Sequence, residues 1–130
     1  MHEKIYDQMI EKFKHHIEEY KIGDPLDQHT THGPQVDKAQ FDKVLGYIKE
    51  GQNEGAKMVI GGKRHGKKGY FIEPTMFVDV KDEMKIAKEE IFGPVMQVLK
   101  FKDIQEVIKR ANDNPYGLAA GVFSQSVDNV

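Results

Sequence analysis

The chain has 130 residues, of which 38% are hydrophobic and 12 are glycine, a composition that suits one small folded domain. Its 19 basic residues are balanced by 21 acidic ones, and the formal net charge of −2 argues against a surface built for nucleic-acid phosphates. The longest apolar runs fall far short of the roughly 20 residues that a membrane-spanning helix needs. Cysteine is absent, so these residues supply no disulfide, thiolate ligand or cysteine nucleophile.

Two amphipathic helices are predicted in the first half of the chain. Apolar side chains at three- and four-residue steps predict a helix over residues 3–20: Tyr6, Met9, Ile10, Phe13, Ile17 and Tyr20. Gly23 and Pro25 end it, and the polar residues 27–34 form a loop. The same spacing predicts a second helix over residues 36–50, with this apolar face: Phe41, Val44, Leu45 and Ile48.

Short strands dominate the second half. Strands are predicted at residues 57–60, 70–72, 75–80, 95–101 and 118–123. A helix begins after Asp103, with Glu106 placed as in a capping box. A strand, a helix and a strand in this order indicate a βαβ unit, in which the two strands pair in parallel. The predicted fold class is therefore α/β, a mostly parallel sheet with flanking helices and a βαβ unit near the C-terminus. Residues 126–130 are typical of the opening turn of another helix.

A glycine- and lysine-rich segment, GGKRHGKK at residues 61–68, fits the spacing of a phosphate-binding P-loop. Two requirements fail. Lys68 stands where a P-loop has a magnesium-binding Ser or Thr, and the residues that follow predict a strand where a helix should begin. A flexible basic connection between strands is the favoured interpretation.

The chain has six histidines, with local pairs at His29/His32 and His15/His16. A zinc site needs a third and usually a fourth ligand on one face. The first pair lies in predicted loop, and the second pair points ~100 degrees apart on a helix. We expect solvated histidines and no metal site.

The pair Glu89-Glu90 differs from the other carboxylates, because it precedes Phe92 and a Gly-Pro turn that leads into a predicted strand. A carboxylate beside an aromatic ring on a rigid turn suits a sugar diol and a flat ring, since its two oxygens accept hydrogen bonds from adjacent hydroxyls. Taken alone, the residues favour a more ordinary alternative, a capping or salt-bridged glutamate and a core phenylalanine.

The segment EEIFGPV at residues 89–95 resembles the aldehyde dehydrogenase superfamily, in its NAD-dependent class 1 and class 2 branch. The resemblance extends from Ile5 onward through further segments: GPQVD at 33–37, EGA at 54–56, GG at 61–62, GYFIEPT at 69–75, IAK at 86–88 and YGLAA at 116–120.

The resemblance implies that residues 1–130 are a partial catalytic domain of an aldehyde dehydrogenase. The cofactor domain, the catalytic cysteine and the C-terminal oligomerisation strands would then lie outside these residues, and the segment alone would be inactive. The complete enzyme would oxidise aldehydes to carboxylic acids with NAD, NADP being possible, through cysteine attack, hydride transfer and thioester hydrolysis.

Four residues of this chain match cofactor-binding positions of the family. Glu90 resembles the glutamate that binds the nicotinamide ribose hydroxyls, and Phe92 resembles the aromatic residue near the nicotinamide. Gln40 and Lys43 resemble the pair that approaches the same part of the cofactor from another side, and positions three apart share a helix face. No catalytic residue and no metal ligand is expected within the chain.

The resemblance also implies an aldehyde substrate and a homodimeric or homotetrameric enzyme, with no nucleic-acid or membrane partner. The N-terminus has no signal- or transit-peptide pattern, so the cytoplasm is expected, or the mitochondrial matrix if an upstream transit peptide was removed. The alternative is a non-catalytic short relative with a structural or weak nucleotide-binding role.

Overall fold

A computed structural model describes residues 1–129 of the chain. Its helices and strands, in chain order, are α1 (Tyr6–Glu18), α2 (Lys38–Asn53), β1 (Lys57–Ile60), β2 (Thr75–Val78), α3 (Lys85–Lys88), β3 (Val95–Gln97) and α4 (Ile104–Ala111). Single 3-10 turns occupy Glu3–Ile5 and Val127–Asn129. The helical turn expected at residues 126–130 is thus a 3-10 turn, and Val130 lies outside the described residues.

The three strands form one sheet in the order β1-β2-β3. β1 pairs with β2 antiparallel, and β2 pairs with β3 parallel. Gly61, at a φ of 75°, directly follows β1, and a Cβ there would lie 2.2 Å from the Pro74 carbonyl oxygen. This close approach requires glycine. It brings the connection over residues 61–74 back against the start of β2.

The α/β class is confirmed, whereas two finer predictions are wrong. The sheet is mixed rather than mostly parallel, because the chain reverses between β1 and β2. Residues 118–123 are not a strand, so the βαβ unit is not completed. Leu118 is 64% exposed and Phe123 fully exposed, and no strand in the described part of the chain pairs with their backbone. Residues 70–72 make only one bridge, between Ile72 and Arg64.

Side chains of β2 divide the core between the two faces of the sheet, because successive residues of a strand point to opposite sides. Phe77 belongs to a cluster with Phe41, Val44 and Ile48 of α2. Met76 and Val78 belong to a second cluster, with Tyr6 and Ile10 of α1. Helices α1 and α2 therefore cover opposite faces of the sheet. Within residues 1–129, no helix has the length and apolar content to cross a membrane.

Helix α4 begins at the predicted cap. The Asp103 carboxylate accepts a hydrogen bond from the Glu106 N–H at 2.9 Å, and the Glu106 carboxylate accepts one from the Lys102 N–H at 2.9 Å. We expect Asp103→Ala to lower the free energy of unfolding by about 1 kcal/mol, because the first turn loses a partner for its N–H groups. Urea unfolding of the complete protein measures this, and Asp103→Ser should recover most of the loss. Equal values for the two variants would contradict the capping role.

Candidate functional site

The site is built on residues 89–94, which connect α3 to β3. At one end, the Glu89 N–H donates to the Lys85 carbonyl at 2.9 Å and closes α3. At the other end, the Thr75 N–H of β2 donates to the Pro94 carbonyl at 2.8 Å. Both ends of the segment are therefore tied to regular secondary structure, so the backbone between them is restrained.

Helix α2 contacts this segment along one stripe of its surface. Val44 and Tyr47 follow Gln40 by four and seven positions, so the three side chains share one face of the helix. Val44 is fully buried and packs so closely on Gly93 that a Cβ there would lie 2.5 Å from the Val44 Cγ2 atom. The helix and the segment therefore meet without room for a side chain at residue 93.

Gln40 holds the middle of the segment. Its Nε2 atom donates to the carbonyls of Ile91 at 2.9 Å and Phe92 at 2.8 Å. Phe92 has a φ of 56°, a conformation that bulky residues rarely adopt. The residue is 70% exposed. The two bonds from Gln40 thus stabilise a strained backbone that directs an aromatic ring away from the core.

We expect Gln40→Leu to lower the free energy of unfolding by about 1 to 2 kcal/mol, because two carbonyls lose their donor. Gln52→Leu is the matched control. Gln52 lies on the exposed surface of the same helix, so its replacement should change stability by less than about 0.5 kcal/mol. Urea unfolding of both variants provides the comparison. If the free energy of unfolding falls no more in Gln40→Leu than in the control, the two hydrogen bonds from Gln40 do not stabilise the segment.

Tyr47 holds the start of the segment. Its hydroxyl donates to the Glu89 carboxylate at 2.6 Å. This bond is the main reason why the pKa of Tyr47 is raised to about 12, with smaller contributions from burial and from the negative charge of Glu89. The hydroxyl is therefore protonated at neutral pH and remains a donor. The ammonium groups of Lys43 and Lys85 lie 5.7 and 5.5 Å from the centre of the Tyr47 ring.

Glu90 is half-buried at the edge of an open groove with a volume of about 620 Å³. Phe92, Tyr116 and Leu118 also line this groove. The Glu90 N–H donates to the Tyr116 hydroxyl at 3.4 Å. None of the ion pairs among the described residues includes Glu90. Glu90 and Phe92 therefore line the same groove, and the Glu90 carboxylate has no ion-pair partner there among the described residues.

The structure brings three of the four predicted site residues to one place. Glu90 and Phe92 line the same groove, and the Gln40 side chain donates to the backbone carbonyls of Ile91 and Phe92. Lys43 lies against Tyr47 instead. The alternative of a core phenylalanine is wrong, because Phe92 is exposed. Sequence reasoning missed Tyr47, although its position seven residues after Gln40 on the same helix face was a usable signal.

The structure also places the basic segment and the histidine pair His29/His32. Residues 61–74 are the connection between β1 and β2, as expected for the basic segment, and the Arg64 guanidinium donates to the carbonyls of Gly66, Lys67 and Gly69. His29 is exposed, whereas His32 is half-buried, and burial lowers the pKa of His32. Among residues 1–129, no three metal-ligating side chains converge.

Comparison with known proteins decides the family. The sequence model of the aldehyde dehydrogenase family matches residues 1–130. The chain belongs to this family. It is 56% identical over 126 residues to a mitochondrial aldehyde dehydrogenase of Mesocricetus auratus, and 55% identical over 126 residues to cytosolic aldehyde dehydrogenase 1 of Rattus norvegicus. The expected resemblance to the class 1 and class 2 enzymes is confirmed.

The match covers most of this chain and a small part of its relatives. It includes 97% of the chain and 25% of the length of each of these two aldehyde dehydrogenases. The structure of a Bacillus cereus aldehyde dehydrogenase in complex with NAD+ superimposes with a TM-score of 0.94 at 46% identity, covering 98% of this chain and 26% of that one. The chain thus spans about a quarter of the length of the aldehyde dehydrogenases it matches.

Proposed function

We propose that the complete protein is an NAD-dependent aldehyde dehydrogenase, which oxidises aldehydes to carboxylic acids, and that residues 1–130 are part of its catalytic domain. One observation carries the proposal: the chain is 46% identical to a Bacillus cereus aldehyde dehydrogenase whose structure holds NAD+. In this chain, a carboxylate and an exposed aromatic ring stand together at the edge of one groove. NADP is the alternative cofactor.

The residues fit the nicotinamide half of NAD. Glu90 has no ion-pair partner among the described residues, so both carboxylate oxygens are available to accept hydrogen bonds from the two ribose hydroxyls. The Phe92 ring offers an exposed flat surface beside the nicotinamide. NAD, when bound, accepts a hydride on its nicotinamide ring.

In this proposal, Gln40 and Lys43 also contact the cofactor. Both Nε2 hydrogens of Gln40 serve the carbonyls of Ile91 and Phe92, which leaves the Oε1 atom for the cofactor. Lys43 is exposed one helical turn away and supplies positive charge. These four residues bind and orient the cofactor, and the reacting nucleophile comes from elsewhere in the complete enzyme, since the chain has no cysteine.

The surface of the chain supports its place in a larger catalytic domain. Four apolar side chains near the C-terminus are exposed: Leu118, Val122, Phe123 and Val127. Apolar area left in water forfeits about 25 cal/mol per Å², so further parts of the protein that cover these side chains would be stabilising.

We propose a homodimer or homotetramer for the complete enzyme. The relatives include mitochondrial and cytosolic enzymes, and we propose the cytoplasm for this one.

The experiment is a cofactor-reduction assay on the complete protein, as its source produces it. Aliphatic and aromatic aldehydes are each offered with NAD and with NADP, and formation of the reduced cofactor and of the carboxylic acid is measured. Equal amounts of both products are expected with NAD, and none without aldehyde. Neither product with any aldehyde, from a folded protein, would reject the proposal in favour of a non-catalytic relative with a structural or weak nucleotide-binding role.

A further inference from the structure

Tyr47 connects α2 to the cofactor-facing segment through a residue that is not itself in the proposed site. Its hydroxyl donates to the Glu89 carboxylate at 2.6 Å, across 42 positions of sequence. Glu89 immediately precedes Glu90. A hydrogen bond to a carboxylate is among the stronger ones available to a neutral side chain.

The backbone at Glu89 determines what this bond does to its neighbour. Glu89 ends α3 in an extended conformation, with φ −105° and ψ 143°. In extended backbone, successive side chains point to opposite sides. Holding the Glu89 side chain against α2 therefore directs the Glu90 side chain away from α2. The Tyr116 hydroxyl accepts from the Glu90 N–H at 3.4 Å and restrains the same residue from the groove side.

The Tyr47 ring is itself restrained. The ammonium groups of Lys43 and Lys85 lie near it, at 5.7 and 5.5 Å from its centre, and they come from different helices. Because the pKa of Tyr47 is raised to about 12, its hydroxyl carries its proton throughout the neutral range. The donor that reaches Glu89 thus has a held position and a constant protonation state.

We propose that Tyr47 is a positioning residue for the cofactor site: by bonding to Glu89, it fixes the direction in which the Glu90 carboxylate faces the ribose hydroxyls of the cofactor. This inference rests on the proposed function, because it assumes that Glu90 binds the ribose. It adds a residue that touches neither substrate nor cofactor and acts only through Glu89.

A double-mutant cycle on the complete protein tests the inference. The variants are Tyr47→Phe, Glu89→Met and the double variant, and Tyr20→Phe is the control because it removes an exposed hydroxyl just after α1. Methionine has a similar length to glutamate and offers no oxygen to the Tyr47 hydroxyl. The Kd for NAD is measured by calorimetry, and the KM for aldehyde and the unfolding midpoint are measured on the same samples.

We expect the Kd for NAD to rise about three- to tenfold in Tyr47→Phe, with an unchanged KM for aldehyde. The Kd for NAD of the double variant should be no higher than the higher of the two single-variant values, since both changes break the same bond. Tyr20→Phe should match the wild type. A purely structural role would lower the unfolding midpoint and leave the Kd for NAD as it is, and that result would overturn the inference.

The inference and the proposed function fail in different ways. If Glu90→Gln weakens NAD binding and Tyr47→Phe does not, the positioning role is wrong and the proposed function stands. Additive effects in the double variant also reject the positioning role. A folded wild-type protein that neither binds nor reduces NAD overturns both.

Discussion

Replacing Glu90 by glutamine in the complete protein is expected to weaken NAD binding about 10- to 100-fold and to slow hydride transfer. The glutamine side chain has nearly the same shape, but it has lost the charge and one of the two acceptor oxygens. A hydrogen bond to a charged group is worth about 1.5 to 3 kcal/mol, and every 1.4 kcal/mol changes the Kd about tenfold, so a loss of this order is expected. The nicotinamide would then be held less precisely for the transfer.

Calorimetric titration gives the Kd for NAD, and single-turnover kinetics give the rate of hydride transfer. Glu18→Gln makes the same chemical change on the exposed surface of α1 and should leave both quantities unchanged. Wild-type values of both quantities in Glu90→Gln would remove Glu90 from the cofactor site, whatever the activity of the protein.

A methyl group added at Gly93 is expected to lower the free energy of unfolding by about 1 to 3 kcal/mol. In Gly93→Ala, the new Cβ would meet the Val44 Cγ2 atom at 2.5 Å and the Cγ1 atom at 2.8 Å. Val44 is fully buried, so it cannot turn away into solvent. Helix α2 and the site segment must then move apart, which should also weaken NAD binding.

Urea unfolding of the complete protein measures the loss, and a second substitution tests its cause. Val44→Ala makes room for the methyl group, so the double variant should be less destabilised than the sum of the two single variants. Gly46→Ala is the matched control. No atom lies within 4 Å of a Cβ at Gly46, and alanine there should stabilise the helix by about 0.5 to 1 kcal/mol. Additive single effects would contradict the proposed contact.

The three longer helices could be predicted from the sequence because each carries its own signal. Apolar stripes determine α1 and α2, and Asp103 with Glu106 marks the start of α4. Helix α3 was missed, because it is a single turn over Lys85–Lys88. Its first N–H is satisfied by the Glu54 carboxylate, 31 positions away, and no local pattern reveals such a partner.

The incorrect prediction of a strand at residues 118–123 has a physical reason of the same kind. Residues 118–123 have the composition of a strand, but a strand also needs a partner backbone, and no strand among the described residues pairs with them. The connection that reverses the chain between β1 and β2 likewise includes the close contact between Gly61 and Pro74, which hydrophobic periodicity does not encode.

The candidate site was predictable in its parts and not in its assembly. The turn after Glu90 and the resemblance around it single out Glu90 and Phe92, and the resemblance adds Gln40 and Lys43. The left-handed backbone of Phe92 and the bond from Tyr47 to Glu89 depend on contacts across about 50 and 42 positions, respectively. Such contacts follow from the packing of α2 on the segment, which only the fold supplies.

A crystal structure of the complete protein with NAD bound tests the proposed cofactor site most directly. We predict that the Glu90 carboxylate lies within hydrogen-bonding distance of both hydroxyls of the nicotinamide ribose, with the Phe92 ring beside the nicotinamide and the Tyr47 hydroxyl on Glu89. A nicotinamide ribose bound away from Glu90, or a Glu90 side chain turned toward α2, would contradict it.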